Sequence, residues 1–125
     1  MKETTVSIGG REVRMRASAL IPRMYRHTFN RDLLVDMHRV DEAMSKAVTK
    51  GMTKAEADAA RVAAIDLEVF ENLAWCMIRH AGEDIPADPD EWLATLDPLE
   101  IFNILPQVMD LWAANNLTTA KPAKK

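Results

Sequence analysis

Residues 53–82 read TKAEADAARVAAIDLEVFENLAWCMIRHAG, and this stretch decides the fold. Thr53 and Glu56 match a capping box, in which each side chain bonds the backbone N–H of the other residue. Apolar residues then recur at helical spacing and cover more than half of the helix circumference. Gly82 suits the left-handed position that ends a helix. The pattern predicts one long helix over residues 54–80, placed at the centre of its domain.

Asp66 interrupts the apolar arc of this predicted helix. A carboxylate placed there needs a polar partner, because burying an unpaired charge is costly. The favoured interpretation is a buried tie to an arginine, either Arg11 or Arg16 near the N-terminus or Arg23 or Arg26 further along. The other interpretation is a charge that reaches a partner at a subunit interface.

A β-hairpin is predicted over residues 4–15. Polar and apolar residues alternate on both sides of Gly9–Gly10, and a two-residue Gly-Gly loop suits the positive φ angles of a tight hairpin turn. This loop places Val6 opposite Val13. Two strands alone are marginal in water, so the hairpin must dock on helices or pair with another subunit. The apolar face of the hairpin consists of Val6, Ile8, Val13 and Met15.

Proline marks the starts of several other helices. Asp88-Pro89 and Asp97-Pro98 each supply an N-cap carboxylate and a proline at the first helical position, and Ile21-Pro22 also marks a helix start. Pro106 cannot donate a hydrogen bond to the carbonyl of Phe102, which predicts a kink or a break there. The predicted helices span residues 22–28, 32–48, 54–80, 89–95 and 98–114.

The length of 125 residues, with 48% hydrophobic and 28% charged residues, is typical of one folded domain. The predicted fold class is α+β, mainly α: an N-terminal β-hairpin packed on a bundle of about four to five helices with a long central helix. Residues 1–114 form the predicted globular domain. Residues 115–125 read NNLTTAKPAKK and lack any periodicity, which predicts a flexible basic tail.

Charge and composition exclude several classes of protein. Without Lys121, Lys124 and Lys125, 13 basic residues face 19 acidic ones, so the rest of the chain carries −6. Such an acidic body argues against binding nucleic acid, which depends on clustered Lys and Arg. A single cysteine excludes an internal disulfide and favours a reducing compartment. No apolar run is long enough to span a bilayer, and the N-terminus does not resemble a signal peptide, so neither membrane insertion nor export is expected.

No arrangement of residues predicts catalysis, a cofactor or a metal site. His27, His38 and His80 lie far apart in the sequence, and Cys76 has no second cysteine with which to bind zinc. Cys76 is therefore interpreted as a buried small hydrophobe. There is no Gly-rich phosphate loop and no nucleophile elbow. We expect a protein that is not an enzyme.

The three tryptophans, Trp75, Trp92 and Trp112, are expected mainly in the core. Trp92 is the candidate exception, because a short helix between two loops buries only part of an indole. A partly exposed indole is a typical anchor for a binding partner.

Two segments resemble the tail assembly chaperones of long-tailed bacteriophages. Residues 22–32 follow the pattern Pro-x-x-Tyr-Arg-x-x-Phe-x-Arg-Asp, with Asn30 at a place where glycine is expected. Residues 91–125 contain a Trp-Leu segment, Ile-Leu-Pro, Leu-Trp, Leu-Thr-Thr and Lys-Pro, in the order found in that family. The Gly-Gly hairpin and the Ala-Trp helix extend the resemblance over almost the whole chain.

The resemblance implies a function in assembly. A tail assembly chaperone of a phage or prophage binds the tape measure protein, keeps it soluble and promotes assembly of the tail tube around it. It works in the host bacterial cytoplasm and is absent from the mature virion. The family also implies translational frameshifting, with Lys124-Lys125 as the candidate slippery site and a longer product that contacts the tail tube protein. Self-association of the chain is a further expectation. The candidate partner contacts are Trp92, Leu93, Trp112, Leu117, Thr118, Thr119 and Lys121.

A structural virion protein is the competing class. A tail-completion or head-tail joining protein would also be small and would also lack catalytic residues. Its presence in purified virions would separate it from a chaperone.

Overall fold

The computed structural model describes the backbone of residues 2–120 and the side chains of residues 2–113. It confirms the predicted class, a mainly helical α+β fold with an N-terminal hairpin. The helices predicted over residues 22–28, 32–48 and 89–95 begin and end within two residues of those limits. The elements are β1 Lys2–Ile8, β2 Arg11–Ala17, α1 Leu20–Phe29, α2 Leu33–Ala47, α3 Lys54–Ala63, α4 Leu67–His80, α5 Pro89–Leu93 and α6 Glu100–Ala120.

The hairpin has the predicted register. Val6 pairs with Val13 across the antiparallel strands, which extend two residues beyond the predicted range at each end. Gly9 and Gly10 have φ angles of 61° and 79°, as a tight turn with two left-handed positions requires. The predicted apolar face is buried against α4 and α6, so the hairpin docks on helices of its own chain.

The predicted long helix is wrong in its extent, because it is two helices. The chain leaves helical geometry at Asp66, where φ is −85° and ψ is 97°, and α4 starts with the next residue. A continuous helix would have placed this carboxylate in the apolar arc, and the break leaves it exposed instead. Ala57 is the one buried residue of α3, and this helix lies beside α2. The central position predicted for the long helix belongs to α4 alone, which packs against β2, α1 and α6.

Helix caps follow the sequence in most places. The Thr53 hydroxyl accepts from Glu56 N at 3.1 Å, and the Glu56 carboxylate accepts from Thr53 N at 2.9 Å, which confirms the capping box. Gly82 has a φ of 87°, as predicted for a residue just beyond a helix end. Asp88 caps α5 through Asp90 N at 3.1 Å. The N-cap predicted at Asp97 is wrong, because α6 begins only at Glu100. The Glu100 N–H donates to the Asp97 carbonyl, which closes a turn before the helix.

Pro106 lies inside α6, and the helix continues past it. Of the two outcomes predicted at Pro106, a kink or a break, the break is therefore wrong. Pro106 is exposed, and Phe102, whose carbonyl loses its donor, is 40% exposed. Water can therefore reach the carbonyl that the proline leaves without a partner. The helix also runs on to Ala120, so the predicted end at residue 114 is wrong, while residues 121–125 lie outside the described part of the chain.

Candidate functional site

The segment of residues 22–32 forms the corner between α1 and α2. Asn30 ends α1 with φ 57° and ψ 39°, and its N–H donates to the carbonyl of Arg26 at 2.8 Å. This left-handed conformation is one that asparagine tolerates and glycine prefers. The resemblance therefore places glycine where the backbone needs one, and Asn30 meets the same need. Asp32 then caps α2 by accepting from Leu34 N at 2.9 Å.

A buried carboxylate holds this corner together. Asp36 is 3% exposed and lies on α2 between the buried residues Leu33 and Val40. Its carboxylate accepts a hydrogen bond from the Tyr25 hydroxyl at 2.8 Å. Arg31 donates through two nitrogens, at 2.7 and 2.8 Å, which is the strong bidentate arrangement of an arginine and a carboxylate.

The surroundings of Asp36 keep it ionised. The hydrogen bonds from Arg31, aided by those from Tyr25 and Arg39, hold the pKa of Asp36 well below its usual range even though burial opposes this shift. Burial, and then the hydrogen bond to Asp36, raises the pKa of Tyr25. Both groups therefore remain in the states that form the bond, an ionised carboxylate and a neutral phenol. The arrangement stabilises the fold and leaves no acid or base poised for proton transfer near neutral pH.

Aromatic packing connects the corner to the central helix. The Phe29 ring lies 5.2 Å from the Tyr25 ring and 5.8 Å from the Trp75 ring, measured between centroids. The Trp75 indole in turn donates to the carbonyl of Pro86 at 3.1 Å. Tyr25, Phe29, Arg31 and Asp32 thus each have a structural role. This part of the motif specifies the shape of the corner rather than a surface contact.

A groove between α1 and α2 lies on the outer side of the corner. Its volume is about 420 Å³, which is within the range of protein ligand sites. Arg26 bonds Asp32 across it at 3.0 Å. Leu34 is 60% exposed at its edge. We call it the α1–α2 groove, and its lining residues are Pro22, Arg23, Arg26, His27, Asp32, Leu33 and Leu34.

The tryptophans predicted as partner contacts lie inside the protein. Trp92 and Trp112 are only 3% and 7% exposed and belong to the hydrophobic core. The prediction that Trp92 is partly exposed is wrong, because α5 packs against α4 and Trp92 belongs to the core cluster that also contains Ile85 and the hairpin residues of the apolar face. Leu93 is half-buried and also packs against the core. Neither indole presents a surface for a partner in this conformation.

The buried tie predicted for Asp66 is also wrong. Asp66 is exposed at the start of α4, and within the described residues no salt bridge joins it to any of the four arginines proposed for it. Two of them have other partners, since Arg16 pairs with Glu3 at 2.9 Å and Arg26 with Asp32. The buried carboxylate tied to arginine is Asp36. Its sequence signal was its position three residues after Leu33 and four before Val40, on the apolar face of α2.

The remaining predicted contacts fall at the end of the chain. Leu117, Thr118 and Thr119 belong to the last turns of α6, where the structure describes the backbone alone. Lys121 and the candidate frameshift residues Lys124 and Lys125 lie outside the described residues.

Cysteine and histidine often act in catalysis or bind metals, but the surroundings of Cys76 and His80 do not favour either role. Burial raises the pKa of the Cys76 thiol to about 12, so the reactive thiolate does not form near neutral pH. The His80 ring lies 2.8 Å from the hydroxyl of Ser18, which lies between β2 and α1. In the described part of the chain, no three His, Cys, Asp or Glu side chains come close enough together to hold a metal ion.

No helix among the described residues combines the length and the hydropathy that are needed to cross a membrane. Comparisons of the chain with protein-family models, with curated proteins and with solved structures found no match.

Proposed function

We propose that this chain is a tail assembly chaperone of a bacteriophage or prophage. In this role it binds the tape measure protein in the host cytoplasm, keeps that long chain soluble and promotes assembly of the tail tube around it. It acts by binding alone, without catalysis or a cofactor, and is absent from the finished virion. The longer product of a frameshift contacts the tail tube protein.

The observation that carries the proposal is the exposed apolar surface beside the α1–α2 corner. Leu34 and Val35 are 60% and 55% exposed on the first turn of α2, directly after the corner. Large apolar side chains exposed near one another favour an interaction site. They follow residues 22–32, which together with residues 91–125 carry the strongest part of the resemblance.

The fold suits a helical client. Capture of an amphipathic helix needs a groove with apolar edges and rigid walls, and no catalytic residue. The walls of the α1–α2 groove are fixed from behind by the hydrogen bonds of Asp36 to Tyr25 and Arg31. Many copies bound along one tape measure chain would also gain avidity without a tight single site.

Co-purification tests the proposal. An affinity-tagged copy of this chain is expected to retain the tape measure protein of the same genome when both are expressed together. A virion protein of similar size serves as the negative control. Mass spectrometry of purified virions is the second measurement. If the chain is present there in stoichiometric amounts, a tail-completion or head-tail joining protein replaces the chaperone.

A further inference from the structure

We infer that the α1–α2 groove selects segments that carry carboxylates beside an apolar stripe, so that its ligand is an acidic amphipathic helix. This inference rests on the proposed function and specifies which parts of a client the chain would bind. It depends on the charge of the groove, on its apolar edge and on its rigidity.

The charge of the groove is opposite to that of the chain. The residues that line the groove include two arginines and one aspartate, a net +1, and the surrounding residues 22–39 carry a net +2, in a chain of net −3. The carboxylates of this segment are already bonded. Asp32 caps α2 and pairs with Arg26, and Asp36 is enclosed by Tyr25 and its arginines.

One arginine and one imidazole ring of the groove are left for a ligand. Arg23 and His27 are exposed, and within the described residues no carboxylate lies within salt-bridge distance of either. A ligand that supplies carboxylates on one side of its apolar stripe would complement them. A basic ligand would meet like charges, which weakens association and lowers its rate.

The apolar edge explains why the ligand is not simply an anion. Leu34 projects 60% exposed beside Pro22, and Leu33 forms the buried floor of the groove. Leucine and proline side chains offer nothing to a phosphate, whereas they match the apolar face of a helix. Among acidic ligands, the groove therefore favours an amphipathic helix over a nucleic acid.

Two labelled helical peptides of about 20 residues test this choice by fluorescence anisotropy. They share one leucine stripe, and one carries glutamates beside it while the other carries lysines. We expect the full chain to bind the acidic peptide at least about tenfold more tightly, with a preference that falls as salt is raised. Equal affinities would overturn the inference. Tighter binding of a single-stranded RNA oligonucleotide than of the acidic peptide would assign the groove to nucleic acid instead.

Two substitutions locate the binding. Leu34→Asp and Arg23→Glu each place a carboxylate in the first turns of a helix, where the helix dipole favours it, so neither is expected to unfold the chain. Each should weaken binding of the acidic peptide about tenfold. The matched controls are Leu99→Asp, at a leucine 65% exposed directly before the start of α6, and Lys54→Glu, at a lysine on the first turn of α3 whose side chain is 90% exposed. If the controls weaken binding as much as the groove variants do, or if the groove variants have no effect, the assignment is wrong. Circular dichroism verifies that all four variants are folded.

The two proposals fail in different ways. If the tape measure protein co-purifies with the chain but the peptides show no preference for acid, the chaperone function stands and the groove assignment falls. If the acidic peptide binds in the groove while the tape measure protein does not co-purify, the groove recognises acidic helices from another partner.

Discussion

The Tyr25 hydroxyl on α1 donates a hydrogen bond to Asp36 on α2 at 2.8 Å, and this bond joins the two helices through a residue that is only 3% exposed. Because Arg31 neutralises the same carboxylate, the pair fixes the corner without leaving an unpaired charge inside the fold.

Removing the charge of Asp36 should destabilise the protein. We expect Asp36→Asn to lower the free energy of unfolding by about 2 kcal/mol, less than for a fully buried ion pair because Arg31 and Arg39 remain half exposed to water. Tyr25→Phe, which removes one hydrogen bond, should cost about 1 kcal/mol. Urea denaturation measures both. The exposed Asp41→Asn on the same helix is the control, and an equal effect there would show that Asp36 has no special role.

The same carboxylate predicts how stability depends on acid. The folded pKa of Asp36 lies below its value of about 3.9 in an unfolded chain, so the unfolded state binds the proton more readily. The stabilisation is complete above about pH 4 and is lost as the pH falls below that value. Denaturation followed from pH 6 to pH 2 should therefore show a shallower loss in Asp36→Asn than in the wild type. Parallel curves for the two proteins would contradict this assignment.

Trp92→Ala should act on folding rather than directly on a partner. Because the indole is 3% exposed among core residues, its removal should lower the free energy of unfolding by about 3–5 kcal/mol. Thermal denaturation measures the loss, and Trp92→Phe, which refills part of the space, should recover part of it. An unchanged melting temperature together with lost partner binding would instead restore Trp92 as a surface anchor.

Pro106→Ala should stabilise α6. Alanine restores a backbone donor and avoids a helix penalty of about 3 kcal/mol, while the more flexible unfolded chain offsets about 1 kcal/mol of this gain. The net increase in the free energy of unfolding should be about 2 kcal/mol. The exposed Gln107→Ala is the control, with little expected change. A lower melting temperature for Pro106→Ala would mean that the ring makes contacts that alanine cannot replace.

Local signals in the sequence predicted the hairpin and most of the caps. The Gly9–Gly10 turn determines which residues of the two strands are opposite each other, and Thr53 and Glu56 form their box within one helical turn. Such interactions involve neighbours in the sequence, so a single chain reveals them.

Interactions between distant segments were harder to predict. Hydrophobic periodicity does not show which half of residues 54–80 lies under other elements, so the break at Asp66 was missed. The burial of Trp92 depends on the packing of α5 against α4 and on a core that also contains hairpin residues far away in the sequence. The tie at Asp36 needs a tyrosine 11 residues away, and an aspartate on an apolar face does not by itself identify that partner.

The most direct test of the proposed function is the amount of tape measure protein that stays soluble in the cell. The tape measure protein is expressed alone, with this chain, or with the Leu34→Asp variant, and the soluble fraction is measured after centrifugation. We expect the wild-type chain to increase that fraction severalfold and the Leu34→Asp variant to increase it less. A soluble fraction that is the same with and without the wild-type chain would contradict the chaperone function.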